Sequence, residues 1–327
     1  MFVVGLVALL TVFERVATRR VEATDGQSLI IRDVYRLPGL ARRPSDAVTR
    51  VYLGDSVARQ FYPAESEPSD AARFLTSNGG LSIAGSYYLL EEVFRACPNA
   101  RDAILLVRPE TLQVNLDPPY ANDFFAGLFH TWSQVAEVFR VKRDLRLTTA
   151  HIGRWMLPNT MAINGAWRQE PDAFLRPFFE RVDASTLATP VAPPPPAVEP
   201  ERMLIWLSEL WGGTRNWTTR FPKLNEATPV ELSPVADYYL AKLRALCESR
   251  GGSLRVLSTP YPDQFQWADA ARVFDAPILY LPTNLFGDHV HVGPKNVWLP
   301  TQVGSDVARQ LAEHYGLKDL AVVRSAQ

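Results

Sequence analysis

Five short apolar runs, separated by stretches of helical spacing, constrain this chain most. They fall at residues 49–53, 73–76, 103–107, 254–257 and 278–281. The third reads "AILLV" without interruption. A continuous apolar run of that length suits a strand buried on both faces, as in a parallel sheet. Between the runs, Ser56 opens a short helix ending near Pro63. Ile83, Tyr87, Leu90, Val93, Phe94 and Cys97 then repeat at helical spacing. Ser233-Pro234 reads as a cap followed by a first-turn proline, and that helix closes at Gly251-Gly252. Further helices are expected around 263–273 and 301–315, and residues 24–48 read as an irregular lead-in. The pattern predicts an α/β fold, a three-layer sandwich around a five-stranded parallel sheet.

Residues 115–230 break the alternation and are far too long for a simple crossover. They hold six of the eight tryptophans: Trp132, Trp155, Trp167, Trp206, Trp211 and Trp217. They also hold "PVAPPPPAVEP" at Pro190–Pro200, a stiff extended segment or loop. We read 115–230 as an inserted, mostly helical lid subdomain within a 24–327 α/β domain. The tryptophans are either its core or a platform for sugar rings.

Composition excludes several classes. A net charge of −1, with no long basic run, argues against nucleic-acid binding, which needs clustered Lys and Arg. Two cysteines, Cys97 and Cys247, exclude a disulfide scaffold and a four-cysteine zinc site. Each stands near a helix end and reads as a buried apolar residue, with one disulfide left open. At the N-terminus, "MFVVGLVALLTVF" is uncharged but shorter than the roughly 20 residues of a membrane span. Arg15, Arg19 and Arg20 follow it, the reverse of a signal peptide's flank; a topology set by them alone would leave the rest cytoplasmic. We read residues 1–23 as a hydrophobic anchor or signal remnant, the end of a longer anchor.

The first run ends in "VYLGDSVARQ". Val51–Leu53 favour a strand, Gly54 permits a sharp turn, and Asp55 or Ser56 can cap the next helix. Such a junction needs no chemistry. It also presents Ser56 at the carboxyl end of a parallel strand, where open α/β sheets place their sites. After the fifth run stands "GDHVHVGP", Gly287 to Pro294, at the same expected sheet edge. An Asp three residues before a His lets one loop supply a base and its orienting carboxylate. Asp288 would hold His291 while His291 takes the Ser56 proton.

Gly54-Asp55-Ser56, the Asn78-Gly79-Gly80 turn after the second run, and Asp288…His291 together resemble the SGNH (GDSL-type) hydrolase superfamily. The match covers roughly 49–110 and 253–315. The form "SNGGLSIAGSYYLLEEVF", with a long insertion and an N-terminal anchor, is similar in style to membrane-tethered SGNH proteins of alginate and teichoic-acid modification. The resemblance implies a flavodoxin-like three-layer fold and serine acyl chemistry. It also implies an oxyanion hole built from the serine N–H, a glycine N–H after strand two and an asparagine after strand three. Ser56 and Gly79 or Gly80 match the first two. The third departs: Arg108-Pro109-Glu110 follows "AILLV", without a Gly-x-Asn-Asp block. Asn78 or Arg108 is left as the third donor.

His289-Val290-His291 is also a His-x-His pair, but His130, His151 and His314 offer no matching third zinc ligand. We expect no metal and no cofactor. Asp55 reads as a turn-holding hydrogen bonder, and Glu110 and Asp263 as carboxylates at the same sheet edge that could touch substrate. The expected function is an esterase or O-acetyltransferase acting on ester-modified carbohydrate of the bacterial envelope, on the periplasmic or extracytoplasmic face. The competing expectation is a non-catalytic glycan-binding or scaffold protein on a degraded SGNH fold.

Overall fold

The computed structural model of the chain describes residues 37–62, 71–76, 82–113, 132–142, 226–287, 291–293 and 302–317. Its larger elements begin with β1 (Arg50–Gly54), α1 (Ser56–Phe61), β2 (Ala72–Thr76), α2 (Ile83–Ala96), β3 (Asp102–Val107), α3 (Pro109–Gln113) and α4 (Trp132–Lys142). They continue with β4 (Ala227–Pro229), α5 (Pro234–Glu248), β5 (Leu254–Ser258), β6 (Tyr261–Pro262), β7 (Gln266–Ala268), β8 (Tyr280–Leu281) and α6 (Gln302–Tyr315). The main sheet is parallel, in the order β2-β1-β3-β5. Its carboxyl ends are nearly flush: Gly54 stands opposite Thr76 on one side and Leu106 on the other, and Val107 opposite Ser258.

Strand alternation builds two cores. Val51, Leu53, Leu75, Leu105 and Val256 point toward α2 and α5. Tyr52, Phe74, Ile104, Leu106 and Leu257 point the other way, toward α1 and α6. Tyr52 stacks on Phe74 at 4.7 Å and meets Tyr62 edge-on. Both faces are therefore covered, which explains the uninterrupted apolar runs. The helix stops follow the sequence signals. Ser233 accepts the Ala236 N–H, and α5 ends where Gly251 turns left-handed (φ 70°) and Gly252 N–H reaches back to Cys247 O.

Gly54 is glycine for a different reason from the one expected. It does not take a positive φ. A Cβ there would lie 2.3 Å from Ala58 Cβ and 2.7 Å from the Leu106 carbonyl oxygen. The missing side chain lets the first turn of α1 sit directly over the end of β1.

Three expectations change. Among the described residues the main sheet has four strands where five were expected; the last run supplies Tyr280–Leu281, paired in parallel with Tyr261–Pro262 just beyond β5. Pro277 and Pro282 flank that run and limit its ladder. The helix expected around 263–273 is instead β7, paired with β4, and a 3₁₀ turn at Ala270–Arg272. Phe265 and Trp267 are buried while Gln266 between them is exposed, the period of a strand. The lead-in contains a helical turn at 37–41, with Leu37 and Ala41 buried and the Arg73 guanidinium donating to the Leu40 carbonyl.

Of the 115–230 insertion, α4 and the segment from 226 onward are described. Glu137 of α4 accepts hydrogen bonds from Tyr88 of α2 and Tyr238 of α5, and pairs with Lys242. Trp155, Trp167, Trp206, Trp211, Trp217, the proline-rich run and the expected anchor at 1–23 lie outside the described residues. Among the described residues no helix is long and apolar enough to cross a membrane. Cys97 and Cys247 are both buried and unbridged, and burial pushes the Cys247 thiol up to about 12.

Candidate active site

The order β2-β1-β3-β5 reverses direction between β1 and β3. Ligands in open α/β sheets bind at such a switch point, beyond the carboxyl ends of the strands. Ser56 follows β1 there, and Arg108, Glu110 and Thr111 follow β3.

Asp55 shapes the turn. Its backbone is extended, and Oδ1 accepts the N–H groups of Val57 at 3.0 Å and Ala58 at 3.4 Å, the bonding of an N-cap. Oδ2 faces the next strand's exit, 3.3 Å from Arg108 Nε and 3.4 Å from Thr111 Oγ1. One carboxylate thus ties the ends of β1 and β3 together, as its reading as a turn-holder anticipated. The Asp55 side chain is 1% exposed and that of Arg108 15%, so the pair is largely desolvated. Burial alone would lower the Arg108 pKa, but the carboxyl groups of Asp55 and Glu110 outweigh it and hold the guanidinium above its usual value.

Glu110 lies deeper. The Tyr261 hydroxyl donates to Oε1, whereas Oε2 is buried with no hydrogen-bond partner among the described residues. Burial raises its pKa above the ordinary carboxylate range, partly offset by Arg108. Asp263 accepts the Thr283 hydroxyl at 2.9 Å on an exposed loop.

Ser56 Oγ lies 3.1 Å from His291 Nε2, across 235 residues of sequence. Both residues are buried, at 7% and 8% exposure. An imidazole carrying its proton on Nδ1 can accept the serine proton through Nε2 at this distance. The loop bearing His291 closes on itself: Gly287 N–H donates to His291 O at 3.0 Å, and Gly293 N–H to Leu285 O at 2.8 Å. It is also tied to α1. Gln60 Nε2 donates to Val292 O at 2.9 Å, and Val292 N–H donates to Gln60 Oε1 at 3.0 Å.

The structure therefore brings Ser56, His291 and Arg108 to one region of the sheet edge. Asp288, His289, Asn78, Gly79 and Gly80 lie outside the described residues. Among the described residues no group of three or more His, Cys, Asp or Glu side chains gathers as a metal site. His314 Nε2 lies 2.9 Å from the Pro277 carbonyl oxygen, joining α6 to the loop before β8. Sequence reasoning missed Gln60 and Thr111. Gln60 had a signal: it stands four residues after Ser56, one helical turn, so it shares a face with the serine. Compared with family models, with curated proteins and with solved structures, the chain gives no match.

Proposed function

We propose that this chain is a serine acyl enzyme of SGNH type, acting on ester-modified carbohydrate of the bacterial envelope. The observation that carries the reading is the 3.1 Å approach of Ser56 Oγ to His291 Nε2 at the sheet's switch point. In the first step Ser56 Oγ attacks the ester carbonyl carbon while His291 takes its proton. The tetrahedral intermediate collapses, His291 returns that proton to the departing alcohol, and an acyl-serine remains. In the second step water or a sugar hydroxyl attacks, giving its proton to His291, which passes it back to Ser56 Oγ. Asp288, three residues before the histidine, would orient the imidazole. Oxyanion donors would come from the Ser56 N–H, from Gly79 or Gly80, and from Asn78 or Arg108.

Transfer to a carbohydrate hydroxyl fits a lid that excludes water and offers aromatic faces to a sugar ring, a role that the Trp-rich insertion would fill. The proposal places the chain on the extracytoplasmic face, where ester-modified envelope carbohydrate lies, with the N-terminal segment as its tether. The test is labelling by a fluorophosphonate probe. Wild-type protein should label, and a folded Ser56→Ala variant should not; equal labelling of both would remove Ser56 from the mechanism. A second reading, a glycan-binding protein on a catalytically degraded fold, is favoured by one observation. The position after β3 holds Arg108, bonded to Asp55, in place of a free asparagine amide. An unlabelled wild-type protein that still binds oligosaccharide would select it.

A further inference from the structure

We infer that Gln60 is a positioning residue that holds His291 within reach of Ser56; the inference rests on the acyl-enzyme reading above. Its side chain is fully buried, and its carboxamide meets the backbone of Val292 twice, as donor and as acceptor. Val292 is itself fully buried, so its N–H and C=O need partners, and one amide supplies both. The bonds from Gly287 and Gly293 shape the histidine loop on itself. The Gln60 pair attaches that loop to α1, the helix whose first residue is Ser56. Nucleophile and base are thereby referenced to one rigid turn of helix, although one follows the first strand and the other comes near the chain's end.

The chemistry of the clamp is specific. An amide presents a donor and an acceptor side by side. A neutral carboxyl can do the same, its O–H donating to Val292 O and its C=O accepting the Val292 N–H. An ionised carboxylate only accepts, and would face the Val292 carbonyl oxygen with no donor. Burial raises the pKa of a carboxyl placed there. Gln60→Glu should therefore work at low pH and fail as pH rises, whereas Gln60→Met keeps the volume and lacks both bonds at every pH.

The experiment measures the fluorophosphonate labelling rate of wild type, Gln60→Met and Gln60→Glu from pH 5 to 9, with kcat and KM on an activated ester. Exchange of the Val292 amide is followed in parallel. Gln60→Met should label about a hundredfold more slowly, the scale of a 1 Å misplacement. The loss should fall on kcat with KM little changed, and Val292 should exchange faster. The ratio of Gln60→Glu to wild type should fall with rising pH, while the Gln60→Met ratio stays flat. Should Gln60→Met fail to fold, the pH dependence of Gln60→Glu decides alone. Labelling of Gln60→Met within about twofold of wild type, or a flat Gln60→Glu ratio, overturns the clamp while leaving the acyl-enzyme reading intact. An unlabelled wild-type protein overturns that reading and the positioning role together.

Discussion

The Asp55–Arg108 pair gives the sharpest test of how the sheet edge is built. Asp55→Ala removes two things at once. The N-cap of α1 loses its acceptor, which costs about 1 kcal/mol. The Arg108 guanidinium loses its bonded carboxylate, and breaking a buried pair from one side costs about 3–5 kcal/mol. Arg108 keeps 15% of its side chain in contact with solvent, and Glu110 stands nearby as a second anion, so the lower end applies. The single variant should lose about 4 kcal/mol in all, the sum of the cap and the pair. Arg108→Met leaves Asp55 with the Val57 and Ala58 N–H groups and the Thr111 hydroxyl, and should cost about 2 kcal/mol, the scale of one charge-assisted hydrogen bond. In the double variant no orphan cation remains, so its cost should fall well short of the sum, with a coupling of about 2 kcal/mol or more. Urea unfolding with an unchanged m value measures all three. Additivity within about 0.5 kcal/mol, the behaviour of independent sites, would show that the two side chains do not depend on each other.

His291→Ala should cost several orders of magnitude in labelling rate and His289→Ala much less; the reverse ranking would reassign the base. Gly54→Ala should destabilise by about 3 kcal/mol in denaturant melts, because the new methyl meets Ala58 Cβ and the Leu106 carbonyl; Ala58→Gly should recover only part, since the carbonyl contact remains. Glu110 carries a raised carboxyl pKa in the folded protein through burial, so its folded form keeps a proton that the unfolded chain has lost. Stability should therefore decline as pH rises from the ordinary carboxylate range through the raised value, and Glu110→Gln, compared with wild type in melts across that window, should flatten the decline. With an activated acetyl ester, adding oligosaccharide should divert product from acetate to acetylated sugar; acetate release unaffected by any sugar would leave a plain esterase.

Features written within a few neighbouring residues were legible in the sequence. The strand-to-helix junction capped at Asp55, the Ser233-Pro234 start and the Gly251 stop each follow from local backbone and capping chemistry, and the structure places them as expected, although Gly54 is required by a close approach and not by its φ. The segment after β5 was misjudged because "DQFQWADAAR" carries both periods. Phe265 and Trp267 alternate as in a strand, while the alanines that follow favour helix, and pairing of Gln266–Ala268 with Ala227–Pro229 settled it. That partner lies about 40 residues upstream and has no pattern of its own in three residues.

The site divides along the same line, and the division has a physical cause. Ser56 and His291 were nameable because each sits in a short motif whose chemistry is local. What brings them to 3.1 Å is not local: it is the space left by Gly54, the carboxylate of Asp55 reaching across to Arg108 and Thr111, and the amide of Gln60 reaching to Val292. Apart from Gly54 against Ala58, each is a contact between residues more than 50 positions apart. A short helix such as α1 has little stability of its own. It is held by its cap, by Ala58 packed against Gly54 and by its burial between the sheet and α6. Its position then sets where both Ser56 and, through Gln60, His291 can stand. A substitution that loosens α1 from β1 should therefore reduce labelling before it unfolds the domain, and Gly54→Ala is the variant in which the two effects can be read separately.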